Sequence, residues 1–395
     1  MDLPSHSQLL LPLLQVIGEH GGKLRASEAV CAISDKLQLG SDITSAVAHI
    51  GAQEVNLFSR RVRWVRQDAV RRGFITNEER SAWSLSERGY EHLQNCQPGI
   101  VVIVYETEQG VALWADAQTA SGVLEPGSIN LILTSPPYPL VKQKDYGNPV
   151  GNQYLEWLSD LAGGWRKLLV DDGSLVLNLG DTWESGQPTL SLYQERLLIK
   201  LCDQLQYHLA QRLVWQNPCK IPAASWVTVK RCRLKTVTEQ IFWLSKSPHP
   251  KADNRRVLRP YSDRMKRTIA RGGERNRPER PSGHGNALAQ FARDNGGTIP
   301  SNVLIAPNAR SNDSYMKGCR DAGLPIHPAR FPPALPELLI QLLTEPGDVV
   351  YDPFCGSNTV GETCERLGRH WIGSERSFTY LEGSKFRFPK ANERH

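Results

Sequence analysis

The chain has 395 residues, of which 40% are hydrophobic and 22% are charged, a composition typical of a folded globular protein with two or three domains. The eight cysteines form no CxxC pair, which argues against a zinc ribbon or a dense disulfide scaffold and favours reduced thiols in the cytoplasm. We expect no metal site, since the ten histidines show no paired ligand spacing, and no signal peptide or membrane span.

The positive charge is concentrated in one part of the chain. The net charge is +6, yet residues 251–280 alone carry eleven Lys or Arg against four acidic residues, an excess of seven. Residues 1–95 carry eleven of each sign. A local excess of this size is typical of a surface that binds a polyanion, with a solvated loop as the alternative.

The first 96 residues are predicted to form a small helical domain. Apolar residues recur at helical spacing from Leu9 to Ile17, and residues 60–72 form a second helix with six arginines. A short polar hairpin and a further helix follow. This order of helix, helix, small β-wing and helix is the outline of a winged helix over residues 1–96. We expect residues 97–109 to be a linker.

From about residue 100, apolar runs of strand length alternate with amphipathic helical segments. Strands are predicted at 129–133, 174–179, 213–215, 237–244, 348–351 and 370–372, and helices at 152–170, 189–207, 333–344 and 357–368. This alternation predicts an α/β fold whose sheet is covered by helices on both faces. Residues 247–325 interrupt the pattern and are too long for an ordinary loop, so we expect a functional insert there.

A short proline-rich run directly follows the strand at 129–133. It reads Thr134-Ser135-Pro136-Pro137-Tyr138. Ligands of open α/β sheets bind at the carboxyl ends of strands, and two prolines stiffen the backbone at this place. A hydroxyl, a carbonyl and an aromatic face are thereby held together, which suits a planar base with an exocyclic amine.

A second run joins a strand to a helix through small residues. It extends from Asp348 to Thr359, and its turn offers free backbone amides to an anionic group of a cofactor. The next strand ends in Glu375, which is placed like the acid that binds ribose hydroxyls in dinucleotide folds. The turn is not GxGxxG, which disfavours a nicotinamide cofactor.

These runs resemble the motifs of DNA amino-methyltransferases that use S-adenosylmethionine. In that family, Asp, Asn or Ser precedes Pro-Pro and an aromatic residue, and a Phe-x-Gly loop binds the cofactor. The catalytic motif comes first here, as in the permuted beta class. The likeness is closest to the PvuII-type enzymes that methylate cytosine at N4. It rests on "TSPPYPLVKQKDYGN", "VLRPYSDRMK", "RPSGH", "DNGGTIPSNVL" and "HPARFPPALPELLIQLLTEPGDVVYDPFCGSNT".

The resemblance implies a Rossmann-like methyltransferase sheet with a role for each motif residue. The catalytic half is expected over 110–246 and the cofactor-binding half over 326–388. Ser135, Pro136, Pro137 and Tyr138 would hold the target base, assisted by Asn178 or Asp181. The cofactor would be bound by Asp352, Phe354, Gly356, Ser357, Asn358 and Thr359, with Glu375 at the ribose, Asp116 at the adenine, and His327, Pro328 and Phe331 closing the pocket.

The same resemblance predicts where double-stranded DNA is recognised. Residues 247–325 would be the target-recognition region. We expect Arg255, Arg256, Arg264 and Lys266 to contact phosphates, and Arg280 and His284 to contact base edges. The run "RRVRWVRQDAVRRGFI…WSLSERGYEHL" resembles the N-terminal domain of Mrr-type restriction proteins. That domain could contact DNA, mediate dimerisation or dock a partner protein.

The sequence therefore predicts a DNA methyltransferase of a restriction–modification or defence system, with a cognate endonuclease encoded nearby as a candidate partner. Serine in the first motif position favours cytosine N4 as the acceptor, because adenine enzymes of this class usually carry aspartate there. Adenine N6 stays open, since the same pocket chemistry serves both amines. A non-catalytic DNA-binding regulator is a further alternative, which the two intact motifs oppose.

Overall fold

A computed structural model describes residues 3–4, 6–37, 39–50, 53–76, 82–94, 99–139, 152–221, 224–273, 291–308 and 313–393. Among these residues, no helix is both long enough and apolar enough to cross a membrane.

The N-terminal region is a helical bundle with a small sheet. Its elements are α1 (His6–Glu19), β1 (Lys23–Arg25), α2 (Ala26–Lys36), α3 (Ser41–Thr44), β2 (Val47–Ile50), β3 (Gln53–Asn56), α4 (Leu57–Arg71), β4 (Ile75–Thr76), β5 (Ala82–Leu85) and α5 (Glu87–Gln94). The sheet order is β1-β5-β4, and β2 and β3 form a separate hairpin. Strand β1 and this hairpin were not predicted, because runs of three or four residues carry almost no periodic signal.

Helix α4 shows why this region folds as the sequence predicts. The side chain of Asn56 caps its first turn by accepting a hydrogen bond from the Ser59 amide. Phe58, Val62, Val65 and Ala69 recur on one face and are buried against α1. Arg63 and Arg71 are exposed on the opposite face, as the amphipathic pattern requires, whereas Arg66 lies over the ring of the core residue Trp83.

The rest of the chain forms a ten-stranded sheet. Its strands are β6 (Val102–Glu106), β7 (Gly110–Trp114), β8 (Ile129–Thr134), β9 (Leu169–Leu179), β10 (His208–Gln216), β11 (Thr238–Ser245), β12 (Val303–Ile305), β13 (Val349–Asp352), β14 (His370–Glu375) and β15 (Asn392–Glu393). The order is β12-β10-β11-β9-β8-β13-β14-β7-β6-β15. Strands β9, β8, β13, β14 and β7 are parallel, and β11 is antiparallel to both its neighbours.

Helices cover both faces of this sheet. The helices of this part of the chain are α6 (Ala117–Val123), α7 (Asn152–Leu168), α8 (Tyr193–Asp203), α9 (Asp263–Ala270), α10 (Ser314–Asp321), α11 (Ala334–Leu343), α12 (Thr359–Leu367) and α13 (Phe378–Ser384). Of these, α9 has no buried residue and α10 packs against α13. Along β11, Ile241 and Trp243 share a core with residues of α11 and α12, whereas Phe242 and Leu244 share one with α7 and α8. Two buried faces explain why the strands read as continuous apolar runs.

The sheet order places the two sequence motifs side by side. Strands β8 and β13 are hydrogen-bonded neighbours although more than 200 residues separate them. From β8 the chain proceeds through α7 to β9, and from β13 through α12 to β14 on the other side. Such a reversal of direction leaves a crevice beyond the carboxyl ends of the strands, where open α/β sheets bind ligands.

Two predicted boundaries need correction. The range 97–109 was expected to be a linker, but residues 102–106 form β6, which pairs antiparallel with β7. The last strand, β15, lies beyond the expected end at residue 388 and pairs with β6. β15 has two residues and is the edge strand, and β6 lies beside it; near the edge of a sheet, pairing partners rather than local pattern decide the structure.

Candidate active site

A cavity of about 470 Å³ opens at the carboxyl edge of the parallel strands, a volume within the usual range for small-molecule sites. It brings together thirteen of the residues predicted from the sequence. These are Asp116, Ser135, Pro136, Pro137, Tyr138, Asn178, His327, Phe331, Asp352, Phe354, Ser357, Thr359 and Glu375.

Four predicted residues are not among those that line the cavity: Asp181, Pro328, Gly356 and Asn358. Asn358 was expected in the cofactor wall, but it is fully buried and starts α12 in a left-handed conformation. Its side chain accepts from the Gly361 amide and donates to the Tyr105 hydroxyl. Asn358 therefore shapes the turn from within, because its amide is already committed.

Asp352 ends β13 on the floor of the cavity. Its Oδ1 accepts hydrogen bonds from the Thr134 hydroxyl at 2.7 Å and from the Phe354 amide at 3.1 Å. Burial outweighs these bonds and raises the pKa of Asp352 to about 7. The carboxyl group thus links the ends of β8 and β13. A cationic ligand beside it would lower its pKa and favour its ionised form.

Glu375 joins the ends of β13 and β14. Its two oxygens accept from the amides of Gly356, at 3.0 Å, and Ser377, at 2.8 Å. Burial raises the pKa of Glu375, and these amide hydrogen bonds oppose that shift. Each oxygen keeps a second lone pair, so the carboxylate can also receive a ligand hydroxyl.

Gly356 lets the turn after β13 approach the opposite wall. Its φ of +48° lies in the left-handed region, and a Cβ there would stand 2.9 Å from His327 Nε2. The His327 ring also meets the Tyr380 ring edge-on at 4.6 Å between centroids. Phe331 follows four residues later on the same wall, while Pro328 is exposed.

Asp116 has a structural role in addition to its place in the cavity. Its carboxylate caps α6, accepting from the amide of Thr119 at 2.8 Å and from its hydroxyl at 2.6 Å. The residue also lines the cavity. The helix cap and the cavity position are compatible, because each carboxylate oxygen can accept two hydrogen bonds.

The Ser-Pro-Pro-Tyr run forms a polar cluster with β9 and β11. Ser135 Oγ lies 3.0 Å from the Tyr138 hydroxyl and donates to the Asn178 carbonyl at 3.2 Å. The Tyr138 hydroxyl donates to Glu239 Oε2 at 2.9 Å, and Asn178 Nδ2 donates to the same oxygen at 2.8 Å. One carboxylate oxygen therefore fixes two residues of the predicted site.

Glu239 was missed by the sequence analysis. It lines the cavity as the second residue of β11, and its other oxygen accepts a hydrogen bond from Lys220 Nζ at 3.0 Å. The signal was present, since Glu239 is the single acidic residue of β11 and directly precedes its apolar run. Trp215 and Asn308 also line the cavity and were not predicted.

Asn178, rather than Asp181, reaches the cavity. Asn178 is buried, and its Oδ1 has no hydrogen-bond partner among the residues that the structure describes. A buried acceptor left unpaired costs about 1–3 kcal/mol, so a ligand donor at this place would be favourable. Asp181 is half-buried, and its Oδ1 accepts a long hydrogen bond from the Gln194 amide at 3.5 Å.

Cys355 lies within the cavity wall but has the properties of a small packing residue. Burial, followed by the nearby Glu375 and Asp352, raises its pKa well above the usual range. The thiol therefore stays protonated and is a poor nucleophile. Within the described parts of the chain, no cluster of His, Cys, Asp or Glu has the arrangement of a metal site.

The predicted DNA contacts separate into three groups. Arg255 is bound by Asp253, and Arg256 contacts the Thr344 carbonyl and Glu345. Thr344 and Glu345 precede the amino end of β13, at the sheet edge opposite the cavity. The count of charges could not reveal these ion-pair partners.

Arg264 and Lys266 are exposed on α9, where Lys266 pairs with Asp263 at 3.5 Å. Arg280 and His284 lie outside the residues that the structure describes.

Family comparisons agree with this geometry. A model described as DNA methylase matches residues 129–386, and one described as Mrr N-terminal domain matches residues 6–95. The type II methyltransferase M.PvuII of Proteus hauseri is 41% identical over 286 residues, which cover 72% of this chain and 85% of that protein. M.SmaI of Serratia marcescens is 26% identical over 69% of this chain and 88% of its own length.

A solved structure has the same architecture. The PvuII DNA methyltransferase, described as cytosine-N4-specific, superposes with a TM-score of 0.59 at 34% identity. The match covers 72% of this chain and 88% of the other. The predicted Rossmann-like sheet with an additional N-terminal winged-helix domain is thereby confirmed.

Proposed function

Because the chain belongs to the family of N6/N4 DNA methylases and is an S-adenosylmethionine-dependent DNA methyltransferase, we propose that it methylates the exocyclic N4 of cytosine at a specific DNA sequence. The observation that carries this proposal is the position of Ser135. Ser135 lines the cavity next to the stiff Pro136–Pro137 backbone, one residue after Thr134, whose hydroxyl donates to Asp352. Serine at this position favours cytosine over adenine.

The acceptor amine needs help from the protein for two reasons. Its lone pair is shared with the ring, and inside a duplex it is out of reach of any cavity. The base must therefore leave the helix, enter the pocket and stack on an aromatic side chain. Tyr138 is the aromatic residue of the motif, and its hydroxyl is fixed by Glu239 at 2.9 Å.

Once the base is bound, hydrogen bonds to the amine prepare it for attack. Ser135 Oγ and the Pro136 carbonyl accept the two amine hydrogens, which localises the lone pair towards the methyl group. The bound cofactor supplies an already activated methyl on its sulfonium, so the protein mainly has to align the reactants. The amine becomes acidic as the new bond forms, and the unpaired Asn178 Oδ1 is the nearby acceptor that we assign to assist.

The residues at the ends of β13 and β14 fit the cofactor. The cavity is lined by the carboxyl groups of Asp352 and Glu375 and by the aromatic ring of Phe354. His327 and Phe331 line another part of its wall. A sulfonium is cationic, so it favours the ionised form of Asp352. We propose that Asp352, Phe354, Ser357 and Thr359 bind its methionine part, with Glu375 at the ribose and Asp116 at the adenine.

Cofactor affinity should depend on pH through Asp352. Its pKa of about 7 means that the ionised fraction rises from about one tenth at pH 6 to about nine tenths at pH 8. We expect calorimetry to show affinity rising about ten-fold over this interval. The isosteric D352N variant should bind weakly and lose this rise. An affinity in D352N equal to that of the wild type would contradict the assignment.

Sequence recognition is proposed to lie in residues 247–325. The exposed Arg264 and Lys266 on α9 support phosphate contacts, and Arg280 and His284 remain proposed readers of base edges. Exchanging residues 247–325 for those of a relative with another target should move the methylated sequence. An unchanged sequence after the exchange would refute this proposal.

We also propose that the N-terminal domain contacts DNA through α4, its arginine-rich helix. Arg63, Trp64, Gln67 and Arg71 recur at helical spacing and are exposed. Its balanced net charge leaves dimerisation or partner docking as the alternative. Deleting residues 1–95 should weaken DNA binding several-fold, as filter binding or anisotropy would show. The same affinity and turnover without the domain would favour the alternative.

The biological setting follows from the relatives, which are type II methyltransferases. We propose that the enzyme is the modification arm of a restriction–modification system, with a cognate endonuclease as its functional partner. Its substrate is the DNA of the cell, so we propose a cytoplasmic location. Sequencing of host DNA for modified bases, with and without the gene, identifies both the methylated base and its sequence.

A further inference from the structure

The segment between β10 and β11, residues 217–237, is the most one-sidedly charged loop beside the cavity. It carries Lys220, Lys230, Arg231, Arg233 and Lys235, and no acidic residue. This is an excess of five positive charges in 21 residues, outside the region in which the sequence located DNA recognition. We call it the basic loop.

The basic loop also exposes apolar side chains to an unusual degree. Leu234 is 90% exposed, Ile221 is 89% exposed and Val229 is 75% exposed. These are the three highest values among the large hydrophobic residues that the structure describes. Exposed Leu and Ile amid basic residues fit a surface that enters a nucleic acid duplex, because such side chains wedge between base steps.

The fold places the basic loop at the catalytic edge of the sheet. Strand β10 runs parallel to β9, so its carboxyl end, where the loop begins, lies at the same edge as the ends of β8 and β13. Lys220 Nζ contacts Glu239, which lines the cavity, and Ile221 follows directly in the chain. Ile221 is therefore the chain neighbour of a residue whose side chain contacts the cavity wall.

Contacts with the rest of the protein and within the loop also hold its carboxyl-terminal half in place. The Arg233 guanidinium stacks over the Trp183 ring at 3.9 Å and donates to the Pro188 carbonyl. Lys230 lies 4.5 Å from the centre of the Trp226 ring. These contacts leave Arg231 and Lys235 exposed. The loop thus combines a fixed base with exposed charges and apolar tips.

We propose that the basic loop is a second DNA-binding element of this enzyme, separate from residues 247–325. Lys230, Arg231 and Lys235 contact phosphates beside the target nucleotide, and Ile221 occupies the space that the target base leaves when it enters the cavity. This inference rests on the proposed function, because the flipped base is that of the methylation reaction. Charge complementarity favours DNA over a protein partner as the occupant.

The phosphate contacts can be tested by salt dependence. We expect K230A and K235A each to reduce the slope of log affinity against log salt by about 0.9, the value for one lost phosphate contact on duplex DNA. The matched control is K167A, which removes an exposed lysine just before the amino end of β9, at the opposite sheet edge. Slopes in K230A and K235A equal to those of the wild type would overturn the phosphate assignment.

The role of Ile221 can be tested by rescue. We expect I221A to lower kcat/KM about ten-fold on a matched duplex of the sequence found methylated, because the vacated space is no longer filled. On the same duplex with the target base mispaired, the deficit should shrink, since less energy is then needed to flip the base. I199A, which truncates an exposed isoleucine on α8, serves as the control.

Equal deficits of I221A on matched and mispaired duplexes, or no deficit on either, would overturn the wedge assignment. These outcomes are distinguishable from failure of the proposed function. If the wild-type enzyme methylates adenine, the acceptor assignment is wrong, whereas the salt slopes and the rescue by mispairing still decide the role of the loop.

Discussion

Replacing Ser135 with alanine is expected to lower the turnover number by about two to three orders of magnitude, the usual effect of losing a polar group aimed at the reacting centre. The dissociation constant for S-adenosylmethionine should stay within about two-fold of the wild-type value. Ser135 follows β8, whereas most of the proposed cofactor residues are at the ends of β13 and β14. Single-turnover transfer of labelled methyl groups and calorimetry would measure the two effects separately.

The matched control for this variant is S128A. Ser128 immediately precedes the amino end of the same strand, β8, and its hydroxyl donates to the Glu125 carbonyl. We expect its turnover to match that of the wild type. If S135A retained wild-type turnover, the Ser-Pro-Pro-Tyr run would not be the catalytic motif.

The second large effect is expected at Glu239. Its Oε2 receives both the Tyr138 hydroxyl and the Asn178 amide, and its Oε1 receives Lys220. Removing this carboxylate leaves those donors unpaired in a half-buried site, which costs about 1–3 kcal/mol. We therefore expect E239A to lower the turnover number about 10- to 100-fold by misplacing Tyr138 and Asn178.

A double-mutant cycle separates this positioning role from general damage to the fold. If Glu239 acts through Tyr138, then E239A in a Y138F background should lower turnover far less than E239A alone. E239Q should recover part of the activity, because its amide oxygen can still accept both hydrogen bonds. Additive losses in E239A, Y138F and the double variant would show that the two residues act independently.

The sequence predicted the parts of the molecule that local pattern controls. Buried parallel strands have continuous apolar runs, so β8, β9 and β13 were located to within a few residues of their observed bounds, apart from the earlier start of β9. The carboxyl ends of those strands then had to meet at one edge. This is why thirteen predicted residues line one cavity although they come from distant parts of the chain.

What the sequence could not predict depends on pairing between distant segments. Glu239 reaches Asn178 because β11 pairs antiparallel with β9, with Ile241 opposite Asn178. That register is set by the whole sheet rather than by either strand. In the same way, the ion pairs of Arg256 and the pairing of β6 with β7 depend on residues that local charge and periodicity do not identify.

Two glycines of the site are needed for close contacts that form only in the folded chain. Gly356 was predicted to bind cofactor as part of the motif, whereas its structural need is the left-handed turn and the closeness of His327. Gly180 was not predicted to matter, yet a Cβ there would stand 2.5 Å from the Tyr138 ring. Each glycine permits a close approach that only the folded chain reveals.

The central claim is that this enzyme transfers a methyl group to cytosine N4. It is tested most directly by mass spectrometry of nucleosides from DNA that the purified enzyme has methylated with isotope-labelled S-adenosylmethionine. We predict labelled N4-methylcytosine from the wild-type enzyme and a strong loss of that product with S135A. Labelled N6-methyladenine without N4-methylcytosine would contradict the account.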